Sequence, residues 1–222
     1  MLPMEARMAA YEGLIGTARG FLAELDANMS REWFEAEKPR YETGLKRPAL
    51  ALLDDLAPRL AALTGETVTT KLFRPHRDVR FSKDKTPYTT HLHMMWALES
   101  EARQSPVFFF GIGLDYVTAG AGMMGFDKPV LEDWRKVVDL DTGRIQAVLA
   151  AAEADGFRRR EPDLKRVPAP YPADHPAGDL LRLKGLTLSL ELGVAAVLPE
   201  DLMAAFEALW PVNALLLEVT RR

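Results

Sequence analysis

Leu14, Ile15, Ala18, Phe21, Leu22 and Leu25 recur at steps of three and four residues, and this period predicts a helix with one apolar stripe. Asn28 and Ser30 are cap residues, and Glu32 follows where a helix dipole favours an anion. The next helix carries Trp33, Phe34, Tyr41 and Leu45, with a break or kink expected at Pro39. Pro48 suits the first turn of a third helix, whose stripe is Ala49, Leu52, Leu53, Leu56, Leu60 and Leu63. From Glu66 the period changes. Val68 to Phe73 is β-prone, Val79 and Phe81 alternate with Asp78, Arg80 and Ser82, and Thr89 to Trp96 reads as a strand. The run VFFFGIGL, Val107 to Leu114, is another, followed by a loop around Gly120. Asp127 and Pro129 open a helix, and Gln146 to Ala154 is helical. Leu186, Leu188, Leu190 and Leu192 alternate with polar residues, as in a strand with one wet face. Pro199 and Glu200 open a last helix bearing Leu202, Phe206, Leu209 and Trp210.

Helices, then strands, then mixed elements give an α+β order with an antiparallel sheet, N-terminal and C-terminal helices packing on at least one face. Residues 1–222 are expected to form a single domain. Five prolines between Glu161 and Gly178 predict an ordered loop near 161–178 lying over the fold.

Composition narrows the function classes. Hydrophobic residues at 48% and charged residues at 27% match a soluble globular protein. A net charge of −4 argues against nucleic acid and membrane surfaces as partners. There is no cysteine, so disulfides, Cys-ligated zinc and a thiol nucleophile are excluded. Glu5 and Glu12 interrupt the N-terminal stretch, which does not read as a signal peptide, and no stretch reads as a membrane span. A cytoplasmic protein is the expectation.

Against that acidic background, Lys71 to Tyr88 holds six Lys or Arg and two Asp. Arginine forks match carboxylate and phosphate oxygens in pairs, and lysine adds a mobile point charge. The excess of cations points to an anion pocket. Its candidate ligand residues are Arg74, Arg77, Asp78, Arg80, Lys83, Lys85 and Tyr88, joined by Lys184 if the proline-rich segment folds over the run. Arg77, Arg80 and Lys85 are the expected donors, Asp78 orients them and Tyr88 shapes the wall. The expected partner is a small phosphate- or carboxylate-bearing molecule. The alternative is a basic surface that docks an acidic protein, and the two differ in whether the arginines line a concavity or a flat face.

Other motifs carry less. Ser82 to Lys85 fits S-x-x-K, but a strand pattern precedes the serine and Pro87 follows closely. Gly120 to Gly125 fits G-x-G-x-x-G, but the next helix begins beyond the third glycine, so a glycine turn or bulged strand is the better reading. His91 and His93 share a strand face, and with His76 they make a weak metal set and a weaker, hydrolase alternative. No cofactor is implied, and no catalytic residue is assigned.

Three segments carry a resemblance: FLAELDANMSREWFEAEKPRYE (Phe21 to Glu42), FRPHRDVRFSKDKTPYTTHL (Phe73 to Leu92) and LKRVPAPYPADHPAGDLLRLKG (Leu164 to Gly185). In order and spacing they resemble the domain of unknown function 2461 family of bacterial and fungal proteins. The resemblance implies one α+β domain and no established activity. Asn28-Met29 stands where that family usually has two asparagines, and Thr89 where it usually has lysine, so the central motif has one cation fewer.

Overall fold

The first three helices are α1 (Leu14–Ala27), α2 (Arg31–Tyr41) and α3 (Arg47–Thr64), with a π-helical turn, Glu42–Lys46, joining the last two. The computed structural model describes residues 11–80, 82–99 and 104–221. All six expected stripe residues of α1 are buried. The Ser30 hydroxyl caps α2, accepting from the Trp33 N–H at 3.2 Å. The helix does not break at Pro39. It runs on into the π turn, where the Thr43 hydroxyl donates to the Pro39 carbonyl at 2.8 Å. A proline deletes one helical hydrogen bond, yet the helix continues into the widened turn, where Leu45 stays buried. Gly65 ends α3 at φ +74°, a left-handed cap that glycine takes without strain.

Six strands follow: β1 (Thr67–Leu72), β2 (His91–Glu99), β3 (Val107–Gly113), β4 (Val117–Met123), β5 (Arg158–Arg159) and β6 (Leu186–Glu191). They form one antiparallel sheet in the order β1-β2-β3-β4-β6-β5. Between them lie α4 (Lys128–Leu140), α5 (Thr142–Ala154) and the short α6 (Gly178–Leu181), and α7 (Glu200–Thr220) comes last. The fold is α+β with helices at both ends of the chain, as the pattern of elements predicts.

Alternation along β2 defines two faces. Leu92, Met94, Trp96 and Leu98 are buried beneath α3 and α7, whereas His91, His93, Met95 and Ala97 are half-buried on the other face. The Trp96 indole donates to the Leu53 carbonyl of α3 at 3.1 Å, and Phe206 of α7 packs against Trp96 and Phe108. By length and composition α7 is apolar enough to cross a membrane, contrary to the sequence expectation, but 61% of its most apolar window is buried inside this fold.

Two sequence readings are corrected here. The stretch around Gly120 is not a loop but strand β4. A Cβ at Gly120 would lie 2.2 Å from the Phe109 ring, and one at Gly122 would lie 2.0 Å from the Leu186 carbonyl oxygen. The glycines let β3 and β6 side chains and backbone approach, and α4 starts only at Lys128. The alternation from Asp78 to Ser82 does not make a strand. The chain from Phe73 to Thr90 is irregular, apart from a single bridge between His76 and Tyr88. Phe81 lies outside the described residues.

Candidate functional site

The loop from Phe73 to Thr90 joins β1, at the sheet edge, to β2. Its base is a short pairing: the Arg77 N–H donates to the Pro87 carbonyl at 2.9 Å, and the Thr89 N–H and hydroxyl reach the Pro75 carbonyl at 2.8 and 3.2 Å. Tyr88 is buried there, stacked on Phe34 of α2 at 4.3 Å and edge-on to His76 at 5.0 Å. Beyond this base both aspartates pair with arginines, and Lys83 and Lys85 leave the tip with a net positive charge. Arg77 donates to the Asp84 carboxylate and the Thr86 hydroxyl. Asp84 also accepts from the Thr86 N–H at 2.9 Å, and Arg77 with Thr86 pulls its carboxyl down to about 2. Arg80 grips Asp78 through Nε at 2.9 Å and Nη2 at 2.6 Å, which holds the Asp78 carboxyl below its usual range. Lys85 donates to the Val79 carbonyl at 2.9 Å. Arg77, Arg80 and Lys85, the expected ligand donors, are therefore engaged within the loop, and the Arg80 side chain projects with 77% of its surface exposed.

The concavity lies at the other end of the loop. A groove of about 500 Å³ runs between α2, the π turn and α3 on one side and β1 with Phe73 to His76 on the other. Lys38, Glu42, Lys46 and Leu50 stand at four-residue steps along its helical wall, and Lys71, Phe73 and Arg74 line the strand wall. Four cations thus face one carboxylate. Lys46 reaches Glu42 at 2.9 Å and Lys38 reaches Glu35 at 3.1 Å, both as solvated pairs that contribute little stability. The Lys71 ammonium lies 4.7 Å from the centre of the Phe73 ring. Arg74 is exposed and makes no hydrogen bond or ion pair among the described residues, although its charge helps to lower Asp78. Leu50 and Phe73, 41% and 39% exposed, are two of the exposed large apolar side chains of the fold, and both open onto this groove.

A family model described as conserved hypothetical protein (DUF2461) matches residues 17–217, nearly the whole chain. The chain belongs to the DUF2461 family. A comparison with curated proteins gives no match. The two DUF2461 segments richest in aromatic and charged residues, Phe21 to Glu42 and Phe73 to Leu92, meet in space, because Phe34 of the first stacks on Tyr88 of the second. Thr89 closes the loop base through its hydroxyl and N–H.

Other sequence candidates fall elsewhere. Tyr88 lies behind the groove wall rather than in it, covered by Phe34 and His76. Lys83 is exposed on the loop, and Ser82 precedes it in irregular chain rather than a helix, so no helical turn brings it to Lys85. Lys184 does not join the run. Its N–H donates to Asp163 at 2.7 Å and its carbonyl accepts from Phe126, beside Leu186 at one end of β6, whereas Leu72 aligns across the sheet with Leu190 near the other end. The proline-rich loop follows edge strand β5, which four strands separate from β1, so at strand spacing the two edges are about 24 Å apart. In that loop His175 bonds Asp139 of α4 at 3.1 Å and accepts from the Ala177 N–H at 3.0 Å.

His76 packs in the Phe34–Tyr88 cluster, away from His91 and His93, whose rings stack at 3.8 Å on the open sheet face. Among the described residues no three His, Cys, Asp or Glu gather as a metal site. Sequence reasoning missed the helical wall. Its signal was present in the four-residue steps of Lys38, Glu42, Lys46 and Leu50, which an expected break at Pro39 had divided.

Proposed function

We propose that this protein binds a small anion with an apolar body in the groove between β1 and the α2–α3 helical wall. Arg74 and Lys71 take the acidic head, with Lys38 and Lys46 adding field, and Phe73 and Leu50 hold the body. The observation that carries this reading is the convergence of four cations and two exposed apolar side chains on one concavity. Specific sites are concave and largely apolar with a few charged groups that orient the ligand, and a groove of one sign of charge concentrates counter-ions.

The test is thermal unfolding of the protein with inorganic phosphate, phenyl phosphate, benzoate and benzyl alcohol. A ligand at about 100 times its dissociation constant adds about 2.7 kcal/mol, a rise of roughly 5–10 °C for a chain of this size. Phenyl phosphate or benzoate is expected to raise the midpoint, and inorganic phosphate and benzyl alcohol to fall well short. Equal responses to all four, or none, would contradict the reading. A second reading, docking of an acidic protein, is favoured by the projection of Arg80 and the exposure of Lys83 and Lys85. It requires that reversing those three charges abolish binding of an acidic peptide.

A further inference from the structure

The sheet face turned away from α3 and α7 carries a second polar cleft, built by strand register. His93, Gly111, Thr118 and Glu191 pair in one row across β2, β3, β4 and β6. Beside it, Gly120, Ser189 and Arg158 form the next row across β4, β6 and β5. Residues opposite one another in a sheet point to the same side, so these side chains share one space. At strand spacing the backbones of His93 and Glu191 stand about 14 Å apart, and a cavity of about 640 Å³ lies between them.

Glycine makes the floor. A Cβ at Gly111 would sit 2.9 Å from His93 Cδ2, and one at Gly113 would sit 2.2 Å from the Tyr116 ring. Each ring therefore lies over a glycine, the two inclined at 47° to one another, and His93 Nε2 meets the Tyr116 hydroxyl at 2.7 Å. Burial and the neighbouring His91 hold His93 down to about 4, so its imidazole is neutral at pH 7 and can donate as well as accept. Opposite this pair, Arg158, Ser189 and Glu191 make no side-chain hydrogen bond or ion pair among the described residues. A guanidinium, a hydroxyl and a carboxylate stand unspent around a shaped cavity.

We propose that this cleft binds a free α-amino acid, its carboxylate on Arg158, its ammonium on Glu191 and its side chain toward His93 and Tyr116. A guanidinium fork selects a planar carboxylate, and a carboxylate two residues along the neighbouring strand selects a cation attached close to it. The site is independent of the groove at the β1 edge.

The test is a titration of the histidine-¹⁵N-labelled full chain with each of the common amino acids and with lactate, read at the His93 imidazole nitrogens. At least one amino acid is expected to shift these resonances saturably. Arg158→Ala and Glu191→Gln, both at exposed positions, are each expected to weaken that response at least about tenfold. Arg74→Ala should leave it unchanged, which separates this site from the groove. If no amino acid moves the His93 resonances in the folded protein, the proposal fails. A response to lactate that survives Glu191→Gln would overturn the amino-acid assignment.

Discussion

Arg74 and Arg80 stand six residues apart in one loop and face different surroundings. Arg80 sits at the tip, clasped by Asp78 in a fork of two bonds at 2.9 and 2.6 Å and projecting into solvent. Arg74 sits at the base, in a groove with three lysines and two exposed apolar side chains, and makes no ion pair among the described residues. The tip also contains both aspartates of the run, and each is held by an arginine. The base contains neither. A local excess of positive charge in a sequence therefore divides, once folded, into a part paired within the loop and a part left unpaired beside a groove. Neighbouring carboxylates mark the first part, and a wall supplied by another element marks the second.

The largest effect is expected where the base loses its support. Phe34 is 1% exposed and stacks on Tyr88, so Phe34→Ala is expected to cost about 3–5 kcal/mol in denaturant unfolding and to abolish ligand binding. A near-neutral result would mean that the base does not lean on α2. Next in size, Arg74→Ala is expected to weaken binding of the anion found in the thermal screen by about 10–100-fold while leaving unfolding unchanged, because it removes a charge-assisted contact and no internal one.

At the tip, effects fall on stability and depend on pH. Asp84 has its carboxyl pulled down to about 2 by Arg77 and Thr86, from an ordinary value of 3.8. A depressed carboxyl contributes stability above its unfolded value and loses it as pH falls through the folded value. Asp84→Asn should therefore unfold at a lower temperature than the parent at pH 7, with the gap closing as pH falls from about 4 to 2. A gap independent of pH would show that the ion pair is not its source. The smallest effect belongs to Arg80→Ala, which is expected to move the midpoint by no more than about 2 °C, since the pair is solvated.

Much of the fold was legible because its signals are periodic. The stripes of α1 and α3 and the alternation of β2 each follow from burying one face, whereas β6 alternates in sequence but buries Thr187 together with Leu186 and Leu188. Strand β4 was not legible. Its glycines carry no side-chain pattern, and their purpose is to admit Phe109 and the β6 backbone, which are distant in sequence. The segment from Asp78 to Ser82 misled in the opposite way: it alternates, but Asp78 and Asp84 bond their own neighbours and curl the chain into turns. For the candidate site, the run itself drew attention to the loop that borders the groove. Its internal pairing was hinted at by the two aspartates, whereas the partners of Arg74 on the helical wall depend on how α2 and α3 pack against β1. The cleft at His93 depends on strand register, which no single stretch of sequence displays.

The most direct test of the groove is calorimetric titration of phenyl phosphate into the parent protein, Arg74→Ala and Arg80→Ala under one buffer condition. Saturable binding to the parent, the same affinity in Arg80→Ala, and a loss of at least about tenfold in Arg74→Ala are expected. Equal affinity in all three, or a loss confined to Arg80→Ala, would contradict the division of the loop into a tip of arginine–aspartate pairs and a ligand-binding base.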